Sequence, residues 1–189
     1  MSAGGLKRLA RALVPSVLLE PVERRFYRVR WTGDYATWAD AVAASEGYDA
    51  PAIFEKVLAA SRLVRDGRQA YERDGMAFAE PAPNAPLLAG LQHAAATAGG
   101  NLSVLDFGGS LGSVYWQHRR WLGTTGTVRW DVVEQPHFVA AGRREFATPE
   151  LQFHATVDEA CAAGQPDVLL LSSVLPYLGD PHACLRALA

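Results

Sequence analysis

The chain has 189 residues, of which 49% are hydrophobic, and its formal net charge is −2. This length and composition suffice for one substantial hydrophobic core. The near-balance of charges excludes a polycationic protein that binds nucleic acid. Two cysteines and five scattered histidines form neither a disulfide framework nor a spacing typical of metal ligands, so we expect no metal.

Residues 1–30 are basic, with seven Lys or Arg against two Glu, a local charge of +5. Leu6, Leu9 and Leu13 follow one another at helical spacing. We favour a helix that docks on the protein's own core, and weak contact of residues 1–30 with a membrane surface is the alternative. Since no apolar run is long enough to span a bilayer, we expect a cytoplasmic protein, or one peripheral to the inner membrane.

The chain up to residue 100 is predicted to be mainly helical. An apolar stripe follows Pro51 and ends before Gly67, and a second helix runs from Pro86 to Gly99. Residues 69–78 are interpreted as irregular, and a proline-rich linker covers residues 81–86. We therefore predict an N-terminal helical extension or lid over residues 1–85 and an α/β domain over residues 86–189.

The most informative segment is a predicted buried strand, 102–106, that leads into a glycine turn and a helix. The turn reads Asp106-Phe107-Gly108-Gly109-Ser110-Leu111-Gly112. Doubly wound sheets bind nucleosides at such a turn. The dinucleotide fingerprint would need glycine at position 107, and a carboxylate would repel a pyrophosphate. We expect Asp106, Gly108, Gly109, Ser110 and Gly112 to bind S-adenosylmethionine, with glycines used only for close packing as the alternative.

Two more predicted strands end in polar side chains. Strand 128–133 is followed by Glu134, which lies 22 positions after Gly112, near the spacing at which an acid binds ribose hydroxyls. Strand 167–173 is apolar and ends in Ser172 and Ser173. Because ligands bind outside the carboxyl ends of parallel strands, we expect both serines and Glu134 to face the same crevice as the glycine turn. Serines that simply end a core strand are the alternative reading.

Three further polar residues are candidates. Arg73 could pair with the carboxylate of the cofactor, as arginine forms bidentate pairs with carboxylates. Tyr177 and His182 follow the last predicted strand, from where a general base could reach an acceptor hydroxyl, so we predict them as the catalytic residues.

These motifs resemble class I S-adenosylmethionine-dependent methyltransferases. Together with the segments Trp31–Tyr35, Gly47–Asp49 and Tyr71–Asp74, they resemble one family of small bacterial methyltransferases of unassigned substrate. The resemblance implies a Rossmann-like fold, S-adenosylmethionine as donor, and one methyl group transferred per turnover. We expect a small-molecule or glycan acceptor.

The predicted sheet is shorter than this family requires. Four strands, 102–106, 128–133, 151–154 and 167–173, would give a partial Rossmann-like parallel sheet of order 3-2-1-4, whereas the family's sheet has seven. We therefore expect a chain that is truncated at its C-terminus. The alternative function is an incomplete or inactive Rossmann-like domain that acts as a binding module.

Overall fold

The structure, a computed structural model, describes residues 33–45, 51–123 and 126–188. The chain divides into two compact units, Met1–Ser45 and Glu46–Ala189. In the first unit, helix α1 (Trp38–Ala43) begins where the hydroxyl of Thr37 accepts the backbone N–H of Asp40 at 3.2 Å. The predicted basic helix in residues 1–30 lies outside the described residues. The predicted domain boundary between residues 85 and 86 stays a prediction.

The second unit begins with two helices and a hairpin. Helix α2 (Pro51–Arg65) is followed by the antiparallel strands β1 (Tyr71–Arg73) and β2 (Met76–Phe78), and then by helix α3 (Ala85–Thr97). The prediction of irregular structure at residues 69–78 was wrong. Asp74 and Gly75 adopt φ angles of 53° and 72°, which is the left-handed conformation that a tight hairpin turn requires.

A four-stranded parallel sheet forms the centre of this unit. Its strands are β3 (Leu102–Phe107), β4 (Val128–Val133), β5 (Leu151–His154) and β6 (Val168–Leu170). Their spatial order is β5-β4-β3-β6, and every pairing is parallel. The strand numbers differ from the predicted order 3-2-1-4 because the hairpin adds two strands before the sheet. The predicted mixed α/β class is confirmed, and the architecture is compatible with a Rossmann-like fold.

Helices connect the strands and cover the sheet. They are α4 (Ser113–His118), α5 (Pro136–Glu145), α6 (Val157–Cys161) and α7 (Pro181–Leu188), with 3-10 turns at Arg119–Trp121 and Leu175–Tyr177. Thr156 caps α6, since its hydroxyl accepts the N–H of Glu159 at 3.2 Å, as in a capping box. Among the described residues, no helix combines the length and apolarity needed to cross a membrane.

The larger hydrophobic core lies on one face of the sheet. Trp130, Val132 and Phe153 point to this face, where they pack with buried residues of α2, α3, α4 and α5. A smaller cluster contains Leu105, Val133 and Ala160. Successive residues of a strand point to opposite faces. Asp106 lies one residue after Leu105, so its side chain points to the face that carries the larger core.

His118 gives the fold a pH dependence. It is 1% exposed, its Nε2 accepts the N–H of Asn84 at 3.0 Å, and its Nδ1 lies 2.8 Å from the carbonyl oxygen of Val114. This pair of contacts requires a neutral ring with the proton on Nδ1. Burial lowers the pKa of His118 below its ordinary value of 6.5.

We therefore expect the unfolding free energy to decrease as the pH falls below about 6.5, because the unfolded chain then binds a proton that the folded chain excludes. Urea unfolding of the wild type and of His118→Gln between pH 8 and pH 5.5 tests this. The variant has no titrating ring at this position, so its stability should decline less over that range. Parallel declines would contradict the assignment.

Candidate functional site

The glycine turn joins β3 to α4 through left-handed backbone. Gly108, Ser110 and Gly112 have φ angles of 74°, 56° and 80°. Its backbone is fixed by two hydrogen bonds, from the N–H of Gly108 to the carbonyl of Val133 at 2.9 Å and from the N–H of Gly112 to the carbonyl of Gly109 at 3.0 Å. The left-handed conformation of a non-glycine residue such as Ser110 costs about 1 to 3 kcal/mol and is found most often at functional sites.

The side chain of Asp106 packs against this turn on its buried side. Its side chain is fully buried, and a Cβ added to Gly109 would lie only 2.5 Å from the Asp106 carboxyl carbon. The indole N–H of Trp130 donates to Oδ2 at 3.1 Å, while Oδ1 is buried and has no hydrogen-bond partner among the described residues. The carboxyl therefore lies directly under the glycine turn, and its predicted contact with a ligand stays a prediction.

The pKa of Asp106 is raised from 3.8 to about 7, mainly by burial; the hydrogen bond from Trp130 opposes the shift, and the nearby charge of Glu134 adds to it. The folded protein thus retains this proton at a pH where the unfolded chain has lost it. The protonated Asp106 carboxyl therefore stabilises the folded protein fully below about pH 4, and this stabilisation is lost as the pH rises to about 7.

We expect Asp106→Asn to become more stable than the wild type as the pH rises, because the amide copies the uncharged carboxyl. The difference in unfolding free energy between variant and wild type should grow by about 2.5 kcal/mol from pH 5 to pH 8. Urea unfolding at both pH values measures it, and Asp158→Asn is the exposed control. A difference that does not change with pH would show that Asp106 is not the titrating group.

Glu134 reaches the same turn from the neighbouring strand. It follows β4 directly, and its Oε1 accepts the backbone N–H of Ser110 at 3.3 Å. Its Oε2 accepts the N–H of Gln135 at 2.6 Å. The side chain is half-buried. Two segments that the sequence placed at one edge by spacing alone are thus in direct contact.

The segment after β6 meets the turn as well. The predicted strand 167–173 was too long, because β6 ends at Leu170 and both Ser172 and Ser173 lie in the exposed loop that follows. Ser173 has a φ angle of 62°. A Cβ added to Gly108 would lie 2.6 Å from Cγ2 of Val174, so this loop packs against the turn. The carboxyl ends of β3, β4 and β6 therefore converge on one site.

Three predicted residues take no part in the hydrogen bonds between the turn and Glu134. Arg73 is exposed on the hairpin, with its guanidinium carbon 5.8 Å from the centre of the Tyr71 ring. Tyr177 is 60% exposed in a 3-10 turn, and His182 is exposed in α7. Their predicted roles stay predictions. Within the described ranges, no cluster of three or more His, Cys, Asp or Glu side chains is placed to hold a metal ion.

An open groove of about 730 Å³ lies beside Glu134. It is lined by Pro51, Phe54, Gln135, Pro136 and His137. Its walls are largely apolar, and the rings of Phe54 and His137 meet edge to face at 5.0 Å.

The sequence analysis missed two residues that support the turn. Trp130 is fully buried, and its indole N–H donates to Asp106. The register pairs Asp106 with Val132, so Trp130, two residues before Val132, lies on the same face of the sheet as Asp106. Glu72 on the hairpin accepts hydrogen bonds from Ser113 and Gly75. The signal for the hairpin was the Asp74-Gly75 pair, a common hairpin turn sequence.

The fold and site together define a mixed α/β protein with a glycine turn at the carboxyl edge of a parallel sheet, where Glu134 contacts the turn. No family model, no curated protein and no solved structure matches this chain.

Proposed function

We propose that this protein is a class I S-adenosylmethionine-dependent methyltransferase with a partial Rossmann-like sheet. The observation that carries the proposal is the contact between Glu134 and the amide of Ser110, which brings together the acid after β4 and the glycine turn after β3. In nucleotide-binding sheets, these two elements hold the ribose and the adjoining part of the ligand.

The side chains at the turn fit this donor better than a dinucleotide. S-adenosylmethionine offers ribose hydroxyls, an ammonium and a sulfonium, all of which favour carboxylate partners. Glu134 supplies such a carboxylate, and it lies close enough to Asp106 for its charge to contribute to the raised pKa of Asp106. The negative charge of Glu134 would repel the pyrophosphate of NAD.

The donor supplies a methyl group that its sulfonium has already activated for displacement, so the protein chiefly holds donor and acceptor in line. In this proposal Glu134 orients the ribose, the turn 108–112 receives the adjoining part of the donor, and Ser172 and Ser173 border the reacting end. Arg73 would pair with the donor's carboxylate. The acceptor is a small molecule or a glycan. If its nucleophile is a hydroxyl, Tyr177 or His182 takes the proton.

Direct binding tests the proposal. Calorimetric titration of the full chain with S-adenosylmethionine, S-adenosylhomocysteine and NAD separates three functions. We expect the first two to bind and NAD not to bind. Binding of NAD alone would indicate a dehydrogenase, and binding of none of the three would leave a module without this cofactor.

We also propose that the protein acts in the cytoplasm; weak peripheral contact of residues 1–30 with the inner membrane is the alternative to a helix that docks on the protein's own core. The excess of positive charge in residues 1–30 favours this alternative, since anionic headgroups attract such segments. Sedimentation of the full chain with vesicles that contain anionic lipid, at low and high salt, tests the contact.

A further inference from the structure

The hairpin β1–β2 is joined by a hydrogen bond to the helix that follows the glycine turn. Glu72 is 4% exposed, and one of its carboxylate oxygens accepts the hydroxyl proton of Ser113, the first residue of α4. The other oxygen accepts the backbone N–H of Gly75 at 2.8 Å. A single buried carboxylate thus joins the hairpin tip to the residue directly after Gly112.

The hairpin tip is itself held in place. A Cβ added to Gly75 would lie 3.0 Å from Cγ of Lys56 and 3.4 Å from the backbone nitrogen of Val57, so the tip packs closely on α2. Its two turn residues adopt left-handed backbone. The hairpin therefore provides a fixed support from which Glu72 can hold Ser113.

A buried carboxylate links two elements only at a cost in desolvation free energy. Burial raises the pKa of Glu72, and the hydrogen bonds from Ser113 and Gly75 counteract only part of that effect. An apolar contact would join the hairpin to α4 without this desolvation cost. The carboxylate instead directs the position of one hydroxyl, at the point where the chain leaves the left-handed backbone of the turn.

We propose that Glu72 is a positioning residue that, through Ser113, holds the glycine turn 108–112 in the conformation that binds the ligand. Leu111 anchors the middle of the turn by its complete burial, and Glu72 fixes the end that enters α4. The identity of the ligand rests on the proposed function, whereas the positioning of the turn by Glu72 and Ser113 does not.

Hydrogen exchange of the ligand-free protein tests whether the bond between Glu72 and Ser113 holds the turn. The amides of Gly108, Ser110 and Gly112 are all hydrogen-bonded, so their exchange reports opening of the turn. We expect Glu72→Ala and Ser113→Ala each to accelerate exchange at these amides by about tenfold. The double variant should be no faster than either single variant, because both remove the same link.

Tyr115→Phe is the matched control. It removes a hydroxyl-to-carboxylate hydrogen bond of the same helix, from Tyr115 to Glu150 at 2.7 Å, which joins α4 to the residue before β5 and not to the hairpin. This variant should melt at a lower temperature without faster exchange at residues 108–112. Glu72→Gln, which keeps an oxygen acceptor and a polar group near Ser113, should restore most of the protection.

Binding of S-adenosylhomocysteine gives a second readout. We expect its dissociation constant to rise about tenfold in Glu72→Ala and Ser113→Ala and to stay unchanged in Tyr115→Phe. If Glu72→Ala does not fold, Ser113→Ala decides. Unchanged exchange at residues 108–112 in Ser113→Ala would overturn the proposal. If the wild type binds no S-adenosylhomocysteine, the proposed function fails, and the exchange experiment still decides the role of Glu72.

Discussion

Gly109→Ala is expected to reduce the unfolding free energy by roughly 3 kcal/mol, because the added methyl group overpacks a site that cannot expand. The new Cβ would lie 2.5 Å from the carboxyl carbon of Asp106. That carboxyl is fully buried and bound to Trp130, so it cannot turn into solvent. Urea unfolding measures the loss. Gly90→Ala is the control, because Gly90 lies in α3 with no atom within 4 Å of an added Cβ.

A double-mutant cycle identifies the cause. In the Asp106→Ala background, the methyl group of Gly109→Ala should occupy space that the carboxyl has vacated. We expect a favourable coupling of about 2 kcal/mol between the two substitutions. Additive losses would show that Gly109 is required for a reason other than its contact with Asp106.

Glu134→Ala is expected to weaken S-adenosylhomocysteine binding by about 100-fold, because under the proposed function it removes the charged acceptor for two ribose hydroxyls. Glu134→Gln should lose about tenfold, since an amide oxygen still accepts one hydrogen bond. Calorimetric titration at constant pH measures both dissociation constants.

The control for Glu134 must separate binding from support of the turn, because the carboxylate also accepts the amide of Ser110. Melting temperatures of the ligand-free variants provide one check. Glu159→Gln, which affects an exposed ion pair with Arg143, provides the other and should bind normally. An affinity of Glu134→Ala within about threefold of the wild type would place the ligand elsewhere.

The strands could be predicted because each carries apolar residues at successive or alternating positions and is bounded by turn residues. The predicted segments 128–133 and 151–154 agree with β4 and β5, and the strand predicted at 102–106 is one residue longer in β3. The convergence of Glu134 on the glycine turn also followed from strand order and spacing.

Features that depend on tertiary packing could not be predicted in the same way. The sequence does not show that Asp106 is covered completely, since a carboxylate at the end of a strand is usually near solvent. Nor does it show that Glu72, 41 positions away from Ser113, contacts it. The predicted end of β6 was wrong because the apolar run continues past Leu170 into a loop that packs on Gly108 through Val174.

Hydrogen exchange of the wild type with and without saturating S-adenosylhomocysteine tests the central claim most directly. We predict protection at residues 106–113, 133–136 and 171–175, the three segments that meet at the carboxyl edge of the sheet. Unchanged exchange in these segments, or protection confined to another part of the chain, would contradict a donor site at the glycine turn.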